Sequence, residues 1–320
     1  CLYLLQCLLV PKYASDIKEG AMIKEYYNSE KNHDVLILGD CEVYENISTV
    51  TMWENYGISS YIRGSAEQLI WQSYYLLEDT LKYEKPQVVI LNVLAMTESD
   101  AKSEAYNRMT LDGMKLSKYK IASVRESMTE EENMASYIFP LLRYHSRWSE
   151  LSSEDFRYMW KTPSVTTNGY LMQKGVRPVT TIPKAAPLAN YTFSDRNMEY
   201  LDKIYSLCKD NGINLVLMKA PSVYPHWYDE WDKQVSDYAY EHGILYLNTI
   251  NEAGNIGIDY TTDTFDYGQH LNVEGAEKLS LYLGEHLVKN FRLTDHRQDE
   301  SYKNAWQTIV NKYYEEKQGD

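Results

Sequence analysis

The chain has 320 residues, 32 Lys and Arg against 46 Asp and Glu for a net charge of −14, and 44 % apolar residues. That length accommodates one large α/β domain with an insertion, or two domains, and either buries a sizeable core. The anionic balance excludes a nucleic-acid partner, because phosphates are neutralised by clustered cations. The cysteines at 1, 7, 41 and 208 form no CxxC pair and no metal-ligand spacing, so neither a disulfide framework, nor a metal, nor any other cofactor is expected. Thirty tyrosines and seven tryptophans against five phenylalanines give amphipathic rings suited to partly wet surfaces such as carbohydrate clefts, as well as to ordinary packing.

The first ten residues carry no charge and end at Pro11-Lys12. Ten residues are too few to cross a bilayer, which takes about 20. An apolar stub followed by lysine reads as the outer end of an N-terminal anchor (1–12), which would leave the globular part on the extracytoplasmic side of the membrane; a buried terminal strand or helix turn is the plainer alternative. Charged and apolar positions then alternate as in a short helix over 16–31. Val35 to Leu38 form an apolar run of the kind that becomes a buried parallel strand, and it stops at Gly39-Asp40-Cys41. Ligands of open α/β sheets sit outside the carboxyl ends of the strands, so Cys41 is a candidate nucleophile.

A short helix closes at Gly57, whose lack of a side chain suits a left-handed cap, and a second strand runs from Ile58 to Ile62. Arg63-Gly64-Ser65-Ala66 reads as a turn, 67–83 as a helix broken at Pro86, and Val88 to Leu91 as the third strand with Asn92 at its end. From 97 to 190 the alternation of strand and helix is lost; the stretch reads as an insertion or lid. Within it His145 and Arg147, beside Trp148, are candidates to hold an anionic or sugar group, although a packed Arg/Trp pair is the commoner explanation. Order returns with a helix over 194–211, a strand over 213–218, a helix over 231–242 and a strand over 244–247. A polar loop then supplies Asp266 and His270 ahead of a helix whose Ala276, Leu279, Leu283 and Leu287 share one face. The tail, 298–320, reads as an amphipathic helix with Trp306, Ile309 and Tyr313 inward. Five strands separated by helices imply a three-layer, doubly wound, mostly parallel α/β sheet built from 13–96 and 191–297, interrupted by 97–190.

An early Gly39-Asp40-Cys41, Gly64 after the second strand, Asn92 after the third and a late Asp266/His270 pair resemble the blocks of the SGNH/GDSL hydrolases over most of the chain. Cys41 stands where that family has serine, Asp266 lies four rather than three residues before the histidine, and Asn92 lacks its usual glycine and aspartate neighbours. The resemblance implies an SGNH/flavodoxin-like fold. It implies Cys41 as nucleophile, His270 as base, Asp266 as the carboxylate orienting it, and an oxyanion hole made of the Cys41 and Gly64 N–H groups with the Asn92 amide. Arg63, His145 and Arg147 are the candidate substrate-binding residues. The activity implied is that of membrane-anchored relatives: an esterase or O-acyltransferase on a cell-surface polysaccharide. The alternative is a non-catalytic glycan-binding or assembly scaffold that has lost the serine.

Overall fold

The apolar run at 35–38 extends by one residue into strand β1, Val35–Gly39, the centre of the site-bearing half of the sheet. The computed structural model describes residues 2–319; Cys1, at the head of the apolar stub, and Asp320 lie outside the described residues. The remaining strands are β2 (Ser60–Gly64), β3 (Val88–Asn92), β4 (Asn214–Lys219) and β5 (Leu245–Asn248). They lie in the order β2-β1-β3-β4-β5 with every pairing parallel. The doubly wound α/β expectation therefore holds. The second strand lies two residues later than the sequence suggests, so Arg63 and Gly64 belong to it rather than to a turn.

The helices follow in chain order: α1 (Leu2–Leu9), α2 (Glu19–Glu25), α3 (Cys41–Tyr44), α4 (Thr49–Tyr56), α5 (Ile70–Thr80), α6 (Glu104–Leu111), α7 (Lys118–Ser127) and α8 (Met134–Ile138). Then come α9 (Leu141–Tyr144), α10 (Ser153–Arg157), α11 (Asp195–Asp210), α12 (Asp229–His242), α13 (Ala253–Ile256), α14 (Val273–Asn290) and α15 (Glu300–Gln318). Side chains alternate across a strand, so each strand feeds two cores. Val35, Ile37, Val88, Ile90, Val216 and Met218 pack with α4, α14 and α15, whereas Leu36, Leu38, Val89, Leu91, Leu215 and Leu217 pack with α5, α11 and α12. The inward tail residues Trp306 and Tyr313 are buried, and Trp306 stacks on Trp53 with ring centroids 4.9 Å apart. Gly57 and Gly243 close α4 and α12 at φ +66° and +65°, where a β-carbon would be disfavoured. Residues 97–190 carry no strand and contain α6 to α10.

Arg63 is not available to a substrate. Its side chain is fully buried and its guanidinium bonds the Leu76 carbonyl at 3.0 Å, the Thr80 hydroxyl at 2.8 Å and Asp79 at 3.3 Å, while lying over the Tyr26 ring at 4.2 Å. A cation in an edge strand reads as solvated in sequence, but here α2 and α5 cover it, and its charge is matched by the equally buried Asp79. Arg63→Ala removes the buried cation facing Asp79 and leaves it the Tyr27 hydroxyl and a Lys82 ammonium 3.8 Å away, and the expected cost in urea unfolding is about 3 kcal/mol. A variant with unchanged stability and weakened substrate affinity would return Arg63 to the site.

Candidate active site

Three strand ends converge on one buried polar cluster. Asp40 follows β1 and caps α3 by accepting the Glu42 N–H at 3.0 Å, which leaves the Cys41 N–H, first in the turn, outside the cap. Asn92, the last residue of β3, donates its amide to Asp40 Oδ1 at 3.2 Å and Glu42 Oε2 at 3.0 Å. Lys219, the last residue of β4, holds Glu42 Oε1 at 2.6 Å and also donates to the Ala220 carbonyl at 2.9 Å. Lys219 and Glu42 are both sealed from solvent. The half-buried Cys41 stands on top of this cluster. Gly64 ends β2 opposite Gly39, and a β-carbon there would come within 3.0 Å of the Gly39 carbonyl and 3.1 Å of Val43. Its bareness lets α3 settle against β2.

The second half of the site is the 264–272 loop. Asp266 grips His270 twice, accepting the backbone N–H at 2.8 Å through Oδ1 and meeting ring Nδ1 at 2.6 Å through Oδ2. Thr264 ties the loop by donating to the His270 carbonyl at 2.8 Å and accepting the Gly268 N–H at 2.7 Å. Asn46, just beyond α3, accepts the Leu271 N–H at 2.7 Å and joins the loop to the β1 side of the rim. Asn272 then caps α14. Glu45, one turn past Cys41, brings Oε2 to 3.2 Å from His270 Nδ1 while its Oε1 accepts from Gln173 at 2.6 Å. His270 Nδ1 is thus shared by two carboxylates, and Nε2 is the ring nitrogen left for chemistry.

The structure brings Asp266 and His270 into direct contact and places Cys41 on the same rim, linked through Glu45. Among the described residues no hydrogen bond joins the Cys41 thiol to the imidazole; ring Nδ1 meets Asp266 and Glu45, and the ring lies stacked with Phe265. Asn92 is a correction to the oxyanion expectation. Its amide is buried and spent on two carboxylates, so it braces the cluster rather than facing a substrate. Arg147 is engaged inside the protein, and His145 is exposed on the 145–150 turn. Arg147 is locked on Asp155 at 2.8 and 3.0 Å and on the Leu9 carbonyl at 2.8 Å, and His145 bonds the Leu142 carbonyl at 3.1 Å. The part of the 97–190 stretch that reaches the site is 171–179, through Leu171 N–H to the Tyr44 carbonyl, Gln173 to Glu45 and Arg177 N–H to the Thr264 carbonyl. Sequence reasoning missed Glu42, Glu45, Gln173 and Lys219. The one local signal was Lys219, a charge that ends an otherwise apolar strand.

Charge sets the resting protonation. Burial, then the charges of Asp40, Glu45 and Glu42, push the Cys41 thiol well above its ordinary range, opposite to what a helix-start thiol leads one to expect. Burial and the neighbouring Glu42 raise Asp40 to about 7, and burial raises Glu45 to about 7. For His270 burial works to lower the pKa, but the Asp266 hydrogen bond and the charges of Glu45 and Asp266 outweigh it and raise it to about 9. At neutral pH the resting pair is therefore a thiol and an imidazolium.

No family model matches the chain, and no curated protein matches it. Twelve solved chains are similar, among them the following three. One, described as a lipolytic protein of the G-D-S-L family from Desulfitobacterium hafniense DCB-2, has 13 % identity, a TM-score of 0.40, and coverage of 79 % of this chain and 99 % of its own. A GDSL-like lipase from Bacteroides thetaiotaomicron VPI-5482 has 12 % identity, a TM-score of 0.40, and coverage of 84 % and 98 %. A protein described as an acylhydrolase, from Bacteroides fragilis NCTC 9343, has 11 % identity, a TM-score of 0.39, and coverage of 86 % and 96 %. What the site does is read below from its own residues.

Because the His270 pKa is raised from 6.5 to about 9, its pairing with Asp266 contributes stability that is present below the unfolded value and is lost as pH rises through about 9. Titration of the His270 ring by NMR is expected to centre near 9, and Asp266→Asn to move it down toward the unperturbed histidine value. A wild-type midpoint at or below that unperturbed value would contradict the two-carboxylate clamp.

Proposed function

We propose that the chain is an acyl-transfer enzyme of the ester-hydrolase type, with Cys41 as nucleophile, His270 as general base and then acid, and Asp266 as the carboxylate that fixes the ring. The observation that carries the reading is the double grip of Asp266 on His270, which occupies Nδ1 and leaves Nε2 as the free nitrogen on the rim where β1 delivers the thiol. In the first half-reaction neutral His270 Nε2 accepts the thiol proton as Cys41 Sγ bonds to the ester carbonyl carbon. The Cys41 N–H is the donor placed for the oxyanion. Collapse breaks the carbon–oxygen bond, the alkoxide leaves with the proton from Nε2, and a thioester remains. Water or an acceptor hydroxyl then attacks with His270 again as base, which makes the site competent for hydrolysis or for O-acyl transfer.

The acyl carrier we propose is an O-acylated cell-surface polysaccharide. The polar, tyrosine-rich character of the chain and the resemblance of its blocks to the SGNH/GDSL hydrolases support that choice. We also place the protein at the extracytoplasmic face of a membrane, held by its apolar N-terminal segment; no helix among the described residues is long and apolar enough to cross a bilayer. A second reading, a glycan-binding scaffold without turnover, is favoured by two observations: the raised thiol, and the Asn92 amide already spent on Asp40 and Glu42.

Incubation with an aryl acetate is expected to give a burst and an acetyl adduct on Cys41 by intact mass. Cys41→Ala abolishes both, and His270→Ala lowers the acylation rate by at least roughly 10²-fold. The rate is expected to climb with pH through about 9 as the imidazolium loses its proton, and Glu45→Gln to shift that limb to lower pH. A folded protein that takes no adduct at any pH and still binds the polysaccharide would establish the scaffold instead.

A further inference from the structure

Most of the largest exposed apolar residues are not scattered. Of the eight that are more than 60 % exposed, Leu116 and Tyr240 stand apart, and six, Leu2, Tyr3, Phe139, Trp148, Phe156 and Trp160, come from α1 or from the span 139–160. These two pieces are packed together. The helices α9 and α10 and the 145–150 turn between them all rest on α1. The Tyr3 and Trp160 rings lie 6.4 Å apart, and Arg147 reaches from Asp155 to the carbonyl that ends α1. Single exposed rings are ordinary, but several carried by elements packed on one another mark a contact that excludes water.

Its chemistry selects the occupant. The molecule carries −14 overall, yet α1 has no charged residue, and in 139–161 Arg147 is spent on Asp155 and Arg143 on Glu104, which leaves Arg157 and Lys161 as the cations without an ion pair among the described residues. The anionic excess lies elsewhere, and the apolar rings sit among arginines and a lysine. Tryptophan and tyrosine with interspersed Arg and Lys is the composition that settles at the headgroup level of a bilayer, rings in the acyl boundary and cations reaching for phosphate.

We propose that α1 and residues 139–161 together form a membrane-docking face that lies in the interfacial layer of an anionic lipid bilayer. This goes beyond a tether through the N-terminal segment, because the 139–161 rings fix how the globular part is oriented on the surface. It does not depend on the catalytic reading. Two contacts hold the face in shape. The Arg147–Asp155 pair ties the turn to α10, and the Ser152 and Asp155 capping box starts α10, so the rings are presented by a folded element rather than a loose loop.

The test is flotation of the chain with phosphatidylcholine vesicles containing phosphatidylglycerol, comparing wild type with Trp148→Ser/Phe156→Ser/Trp160→Ser, which leaves α1 untouched. These three side chains are exposed, so melting temperature and aryl-acetate turnover are expected to match wild type, which separates failure here from failure of the catalytic reading. The triple variant is expected to partition at least roughly tenfold less, and wild-type partitioning to weaken when phosphatidylglycerol is left out. Brominated acyl chains are expected to quench wild-type tryptophan fluorescence and the variant far less. Equal partitioning of variant and wild type would overturn the proposal. So would a wild type that stays with the soluble fraction while sedimenting as a dimer that the triple substitution dissolves, because the face would then belong to a second copy. Recruitment only to vesicles carrying an integral membrane protein would overturn it as well, in favour of a protein partner.

Discussion

An ammonium and a carboxylate 2.6 Å apart, both closed to water, hold the functional edge of the sheet together: Lys219 at the end of β4 and Glu42 one residue past the candidate nucleophile. Taking two charges out of water is expensive, and further bonds offset that cost, Glu42 accepting from Asn92 and Lys219 donating to the Ala220 carbonyl. The same bonds fix the register of three strand ends. If either charge were removed, the other would be buried alone, a loss of about 3–5 kcal/mol, and the turn that aims Cys41 would lose its footing. The site is therefore as rigid as the sheet beneath it, and the loop bearing His270 is referred to that footing through Asn46 and Glu45.

This construction leaves the rim rich in carboxylates. Asp40, Glu42, Glu45 and Asp266 face Lys219 and His270, four acids to two cations. Burial first, and the crowding of acids second, keep protons on Asp40 and Glu45 to about 7, and against burial the Asp266 hydrogen bond with its neighbouring carboxylates keeps one on His270 to about 9. Groups this close titrate as a set, so each macroscopic step belongs to the cluster more than to one residue.

The sheet was legible because parallel strands covered on both faces read as apolar runs, and Val35 to Leu38, Val88 to Leu91 and Leu215 to Met218 each do so. The Asp266/His270 contact was legible because it is local, four residues apart. Arg63 was misread because a buried cation and an exposed one look the same until the partner is known, and Asp79 is sixteen residues away on a covering helix. Glu42 and Lys219 are separated by 177 positions, and nothing in either neighbourhood announces the other. His145 and Arg147 looked like ligand-binding groups from composition alone. The Ser152-to-Asp155 cap that claims Arg147 is a local pattern the sequence does display.

A thiol fits this rim better than a hydroxyl for a physical reason. The carboxylates that clamp the imidazole also oppose any negative charge on the nucleophile, and they oppose the oxyanion that follows. Lowering the pH discharges Asp40 and Glu45 but leaves His270 protonated, whereas raising it frees His270 only after those carboxylates are ionised. No pH therefore offers a free base and an uncharged surrounding together, and the proton must leave the nucleophile as the new bond forms. Sulfur, with an ordinary pKa of about 8.5 and high intrinsic nucleophilicity, can meet that demand in a field where an alkoxide would be far costlier. The same field keeps the resting thiol neutral, which shields it from oxidation, a reaction of the thiolate. On the proposed ester chemistry, such a field would trade speed for a thiol that stays inert until an ester is seated beside it.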